Sequence, residues 1–158
     1  MREFFALGLT ALWMPHGHVF TTDPPIAVCC WVPPGGSPPT GLETDEVELA
    51  IEVIFRDFPL TFQVLELLDE NHPREPHYYL PFMGVLPKWQ GRGIGSALLR
   101  AGLETCDRDK VPAYLDASNE SSRALYLRHG FEVIRTLSLP DGPSFWQMWR
   151  EPQPPGSS

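Results

Sequence analysis

The stretch "VLPKWQGRGIGSALL" (Val85 to Leu99) decides the fold. The β-rich run "HYYLPFMGV" leads into it, and apolar residues at helical spacing follow from Ile94. That order predicts a strand, a glycine turn and a helix in immediate succession. Glycines at 91, 93 and 95 permit positive φ and let a ligand approach the main chain. Successive backbone N–H groups in such a turn form a concavity for anions, and the dipole of the following helix adds to it. Lys88 and Arg92 place positive charge beside the turn in a chain whose formal net charge is −8.

Three phosphate-binding patterns compete for this turn. A Walker loop needs Lys-Ser/Thr after its last glycine, and here Ser96 and Ala97 follow Gly95. A dinucleotide fingerprint needs GxGxxG, and Ser96 stands at its third glycine position, although Asp116 lies at a suitable distance for the ribose-binding acid. The pattern Gln-x-x-Gly-x-Gly fits as Gln90, Gly93 and Gly95. A helix-start turn with no ligand also fits the glycines alone.

Composition bounds the alternatives. A length of 158 residues and a hydrophobic content of 42% suit one globular domain with an ordinary core. No apolar run is long enough to span a membrane, and the first residues lack the pattern of a secretory signal. The acidic balance disfavours nucleic acid and anionic membrane as partners. Cys29, Cys30 and Cys106 offer neither a disulfide framework nor ligand spacing, so they read as reduced, buried thiols of a cytoplasmic protein. His16 and His18 are the nearest approach to a metal pair, and no metal is expected.

Punctuation divides the rest of the chain. Helices are expected over residues 2–14, then in two pieces from Glu43 to Asp69 broken at Pro59, then over residues 94–108 and 119–129. Strands are expected at "HVFTT", "IAVCCWV", "HYYLPFMGV", "VPAYLDA", "FEVIRTLSL" and "FWQMWR". Pro81 and Gly84 predict a bulge or interrupted pairing in the third of these. The sum is an α/β (α+β) chain with a mixed, largely antiparallel central sheet flanked by helices. It forms one domain over residues 1–150, with a disordered tail at 151–158.

A second motif, "NESSRALYLRHGFEV", follows the next strand, with Asn119, Tyr126, Gly130 and Phe131. With the glycine turn, it resembles the GNAT superfamily of acyl-CoA-dependent N-acetyltransferases. "HYYLPFMGVLPKWQGRGIGSALL", "VPAYLDAS" and "LPDGPSFWQMWR" look more narrowly like the branch containing puromycin N-acetyltransferase. The usual first strand and helix of that family are not apparent, which implies an exposed sheet edge and favours a homodimer.

The resemblance implies an acetyl-CoA-dependent transfer of an acetyl group to the amine of a small molecule or peptide. It assigns Phe82, Met83, Gly84 and Val85 to the pantetheine arm. Gln90, Gly91, Arg92, Gly93, Ile94, Gly95 and Ser96 are assigned to the pyrophosphate, and Asn119 and Tyr126 to the remainder of the cofactor site. Tyr126 is the expected general acid. Asp116 is the first choice of general base, ahead of Glu70, His77, Tyr79 or a water chain. Trp31 and Trp146 read as packing residues that are also able to line an acceptor pocket. The alternative from another class is a GNAT-like module that holds acyl-CoA with little or no catalysis.

Overall fold

A computed structural model describes residues 17–35, 59–140 and 142–154. The helix expected over residues 2–14 and the first piece of the Glu43–Asp69 region lie outside the described residues. Among the described residues six strands form one sheet: β1 His18–Thr21, β2 Ala27–Val32, β3 Tyr78–Val85, β4 Ala113–Ala117, β5 Glu132–Ser138 and β6 Ser144–Arg150. Their order across the sheet is β1-β2-β3-β4-β6-β5. Only β3 and β4 run parallel; the other neighbours are antiparallel. The helices are α1 Pro59–Glu70, α2 Ile94–Asp109 and α3 Glu120–Arg128, and a 3₁₀ turn spans Pro87–Trp89. This is the expected mixed, largely antiparallel architecture. No described helix is long and apolar enough to cross a membrane.

Alternation along the strands sorts side chains onto two faces. Cys29, Trp31, Leu80, Ala113, Leu115 and Met148 join Leu98, Leu99, Leu103 and Cys106 of α2 in the main core. Trp31 packs directly against Gly102, where a Cβ would overlap its indole nitrogen. That close approach explains a glycine in mid-helix, and it makes Trp31 a packing residue rather than part of an acceptor pocket. Cys106 is fully buried in the same core. Burial pushes its thiol up to about 12, so it is a packing residue rather than a nucleophile.

Local chemistry sets the helix ends. Asn119 caps α3 by accepting the Ser122 N–H at 2.8 Å. Gly130, at φ 84°, stops the helix. Phe131 N–H reaches back to Tyr126 C=O, and Gly130 N–H to Leu127 C=O. These are the paired bonds of a Schellman ending, and the Tyr126 and Phe131 rings supply its usual apolar contact at 5.9 Å. The end of α2 has the same bonds from Val111 and Lys110, but Lys110 takes the left-handed position itself, at φ 57°.

The chain past β6 is tied down. Arg150 grips Asp107 through two bonds of 2.7 and 2.9 Å, and Gln153 N–H donates to the same carboxylate at 2.8 Å. The tail expected at 151–158 is therefore held at its start. An acceptor on α2 supplies what its composition did not suggest, and residues 155–158 lie outside the described residues.

Candidate active site

The bulge expected in β3 is present, and its position is definite. Cys30 pairs with Phe82 and Val32 with Tyr79, so Trp31 alone faces both Leu80 and Pro81. Proline has no N–H to give a ladder, which is why the extra residue sits there. Gly84 is not part of it; it pairs regularly with Val28. One step earlier the parallel ladder ends. β3 and β4 pair at Tyr78–Ala113 and Tyr79–Tyr114, then continue to Val85 and Ala117 with no further ladder pairs between them. The bulge and the end of the ladder coincide, as they would where two strands splay.

The glycine turn lies past the far end of β3. Gly91 and Gly93 have φ of 73° and 80°, and a Cβ on either would meet nothing within 4 Å. Their lack of a side chain serves the backbone conformation and leaves open space above it. Gly95 differs: it is helical, and a Cβ there would make ordinary contact with Val85 at 3.5 Å. The positive φ that glycine permits is thus used at Gly91 and Gly93 but not at Gly95.

Gly93 caps α2 with no side-chain bond, and Ala97 N–H is the first to reach back, to Gly93 C=O at 3.0 Å. The N–H groups of Ile94, Gly95 and Ser96 therefore have no acceptor within the helix. Gln90 is employed otherwise. Its N–H bonds Pro87 C=O, and its side-chain amide donates to Val85 C=O at 2.9 Å, tying the turn to the end of β3. Arg92 stacks its guanidinium on Trp89, 5.0 Å from the ring centroid. Ser96 Oγ bonds His129 Nε2, a partner 33 residues away.

The two residues expected to move protons lie on opposite faces of the sheet. Tyr126 is buried on the helix-covered face, where burial and then Cys29 push its hydroxyl up to about 12. Asp116 is on the other face with its cross-strand partner Gln147 and with Tyr114, two residues before it. Tyr114 hydroxyl donates to Asp116 Oδ1 at 2.7 Å, and Gln147 amide donates to that hydroxyl at 2.7 Å and to Asn71 C=O at 3.2 Å. Asp116 Oδ2 is buried with no partner among the described residues. Burial raises the Asp116 carboxyl to about 6, against the opposing pull of the Tyr114 hydrogen bond.

Beside this chain lies a cavity of about 260 Å³ at the start of β3, lined by His72, His77, Tyr79 and several prolines. Glu75 C=O can only accept, so His77 Nδ1 donates to it at 2.6 Å. The neutral His77 Nε2 then accepts from His72 Nε2, 3.1 Å away. Burial and then His77 push His72 down to about 4, so both rings are neutral near pH 7. Of the other base candidates, His77 and Tyr79 share this face and Glu70 is exposed at the end of α1. Trp146 packs on the main core and carries Arg123 over its ring. His18 is on β1, and His16 is outside the described residues. Among the described residues no group of three His, Cys, Asp or Glu is placed to hold a metal. Sequence reasoning missed Asn71, His72, His129 and Gln147; the fold brings distant partners to Asn71, His129 and Gln147, while His72 meets His77 only five residues on.

Comparison with known proteins agrees with this geometry. Residues 60–131 match the model of the acetyltransferase (GNAT) family. An acetyltransferase of Stachybotrys chartarum is 31% identical over 122 residues, which cover 73% of this chain and 52% of that protein. An uncharacterized N-acetyltransferase of Schizosaccharomyces pombe is 36% identical over 67 residues, 42% of this chain and 27% of that one. The chain thus spans about half or less of these relatives. A crystal structure from Corynebacterium glutamicum, described as histone acetyltransferase HPA2 and related acetyltransferase, shares the fold with a TM-score of 0.64 at 23% identity. It covers 98% of this chain and 75% of that one. The glycine turn, α2 and α3 all lie within the stretch that matches the acetyltransferase (GNAT) family model.

Proposed function

We propose that the chain is an acetyl-CoA-dependent N-acetyltransferase that moves an acetyl group directly to the amine of a small molecule or peptide. One observation carries this reading. The β3–β4 ladder ends at Tyr79–Tyr114, and the open glycine turn at the start of α2 follows the same strand. A coenzyme with a pyrophosphate fits there, because the first N–H groups of α2 lack helical acceptors and Gly91 and Gly93 leave the space above them clear. The backbone of Gly91 to Ser96 would hold the pyrophosphate, and that of Phe82 to Val85 the pantetheine arm. The coenzyme supplies an activated acyl carbonyl and a thiol leaving group.

Asp116 takes the proton of the incoming ammonium. An alkyl ammonium has a pKa near ~10, so it needs a base that is ionised at neutral pH yet more basic than an ordinary carboxylate. A carboxyl raised to about 6 meets both conditions. Tyr126 donates its proton to the departing thiolate from the opposite face, since its hydroxyl is still protonated at working pH. The strand motifs around Pro81 and Trp146 support placement near the puromycin N-acetyltransferase branch.

The test is thermal. A ligand that binds only the native state adds about 2.7 kcal/mol at a hundred times its Kd. Acetyl-CoA raises the melting temperature, and Gly93→Val abolishes the rise because a branched side chain does not tolerate positive φ. Equal stabilisation by NAD refutes the coenzyme assignment. Thiol release on adding a panel of amines separates an enzyme from a binding module.

A further inference from the structure

The Ser96–His129 bond joins the first turn of α2 to the end of α3. Ser96 contributes one of the unengaged N–H groups of that turn, so its hydroxyl stands beside the proposed pyrophosphate cradle. His129 is half-buried. The described charges that act on it are all positive: Arg100 on α2, Arg128 on its own helix and Arg150 on β6. Arg150 also donates through Nε to His129 C=O at 3.0 Å, while its other nitrogens hold Asp107. His129 thus sits where positive charge has accumulated from three elements and from a helix N-terminus.

Such a site favours a lone pair, not an N–H, on the ring nitrogen that faces the helix start. With Nε2 as acceptor, the Ser96 O–H proton points at His129 and is unavailable to a ligand. An anion in the cradle reverses the balance. It offsets the arginines, favours the imidazolium, and Nε2–H then donates to Ser96 Oγ. The serine proton is released to turn toward the anion.

We propose that His129 is a proton-linked positioning residue of the coenzyme site: anion binding adds a proton to its Nε2, reverses the Ser96–His129 hydrogen bond and turns Ser96 into a phosphate donor. This rests on the proposed coenzyme site. Burial and the arginines hold the free His129 below the ordinary histidine range. The bound form titrates higher, so affinity is full at low pH and falls as pH rises through the interval between the two values. Each unit of separation between them appears as a tenfold change in Kd.

The probe is 3′-dephospho-CoA, because the 3′-phosphate of the whole coenzyme itself titrates near pH 6. Calorimetric titration at pH 6.5 in two buffers of different ionisation enthalpy reads proton uptake directly. The wild-type chain takes up protons on binding, and His129→Gln binds without uptake. Ser96→Ala weakens binding severalfold at pH 6 and much less at pH 8, where the serine proton is committed to His129. Binding with no uptake, or a Ser96→Ala effect equal at both pH values, overturns the proposal while leaving the coenzyme site intact. Absence of binding by the wild-type chain fails the coenzyme reading itself and this proposal with it.

Discussion

The two faces of the sheet are built from the same strands and have opposite characters. On the face covered by α2, residues 29, 31, 80, 113, 115 and 148 interlock with apolar helix residues, and Trp31 reaches the α2 backbone at Gly102. On the other face, residues of β4 and β6 form a hydrogen-bonded chain from Asn71 through Gln147 and Tyr114 to Asp116. The first face is tight and tolerates little change in volume. The second is also largely buried, but its residues differ in charge and proton affinity rather than in fit. One face thus serves cohesion and the other carries buried polar groups, and the ladder between β3 and β4 ends at Tyr79–Tyr114.

Substitutions on the two faces therefore differ in kind. Gly102→Val drives a side chain into Trp31, and we expect a loss on the order of 3–5 kcal/mol, measured by urea unfolding. Tolerance of valine there would mean that the helix-covered face is looser than described.

On the opposite face, Asp116→Asn should lower turnover about 10²–10³-fold. The same change should raise the melting temperature at pH 7. A carboxyl raised from its ordinary value to about 6 favours folding while protonated, and that advantage declines as pH rises from about 4 to 6. The amide stays neutral throughout and is spared this decline. In the parent chain, kcat/KM should rise with pH through about 6 as Asp116 ionises. A profile that is flat there would move the base to the His72–His77 pair or to water.

Tyr126→Phe should lower turnover about 10²-fold while leaving folding and acetyl-CoA affinity nearly unchanged, because the ring still packs on Phe131. Equal turnover, with chemistry shown to be rate-limiting, would make Tyr126 a residue of cohesion alone. The smallest effect is expected at the end of α2. Lys110→Gly relieves a left-handed residue and should add about 0.5–1 kcal/mol, read as a small rise in melting temperature with activity unchanged.

Local signals were the legible ones. Asn119 and Gly130 bound α3 through bonds to residues at most five positions away, so their types were enough to place its ends. Pro81 announced the bulge because a missing N–H is a property of the residue itself. Gly84 misled because a glycine in a regular antiparallel pair leaves no mark of being unneeded. The glycine turn was legible as a turn, but not the division of labour within it. Gln90 suggests a ligand contact by type, while the fold gives its amide to Val85. His129, Arg150 and Gln147 have partners that only the assembled sheet brings near, and no spacing in the chain encodes them.

The bulge also makes β3 a strand with a phase slip. Tyr78 and Leu80 point to the helix-covered core, Tyr79 and Phe82 to the opposite cluster, and Met83 and Val85 to the helix side again. Even-numbered residues face the helices before Pro81 and odd-numbered ones after it. Deleting that one residue would leave strict alternation from Leu80 through Phe82 to Met83, with both halves of the strand on their present faces. A single-codon deletion at this point thus preserves the facing of the other β3 residues, and what it removes is the break opposite Trp31 itself.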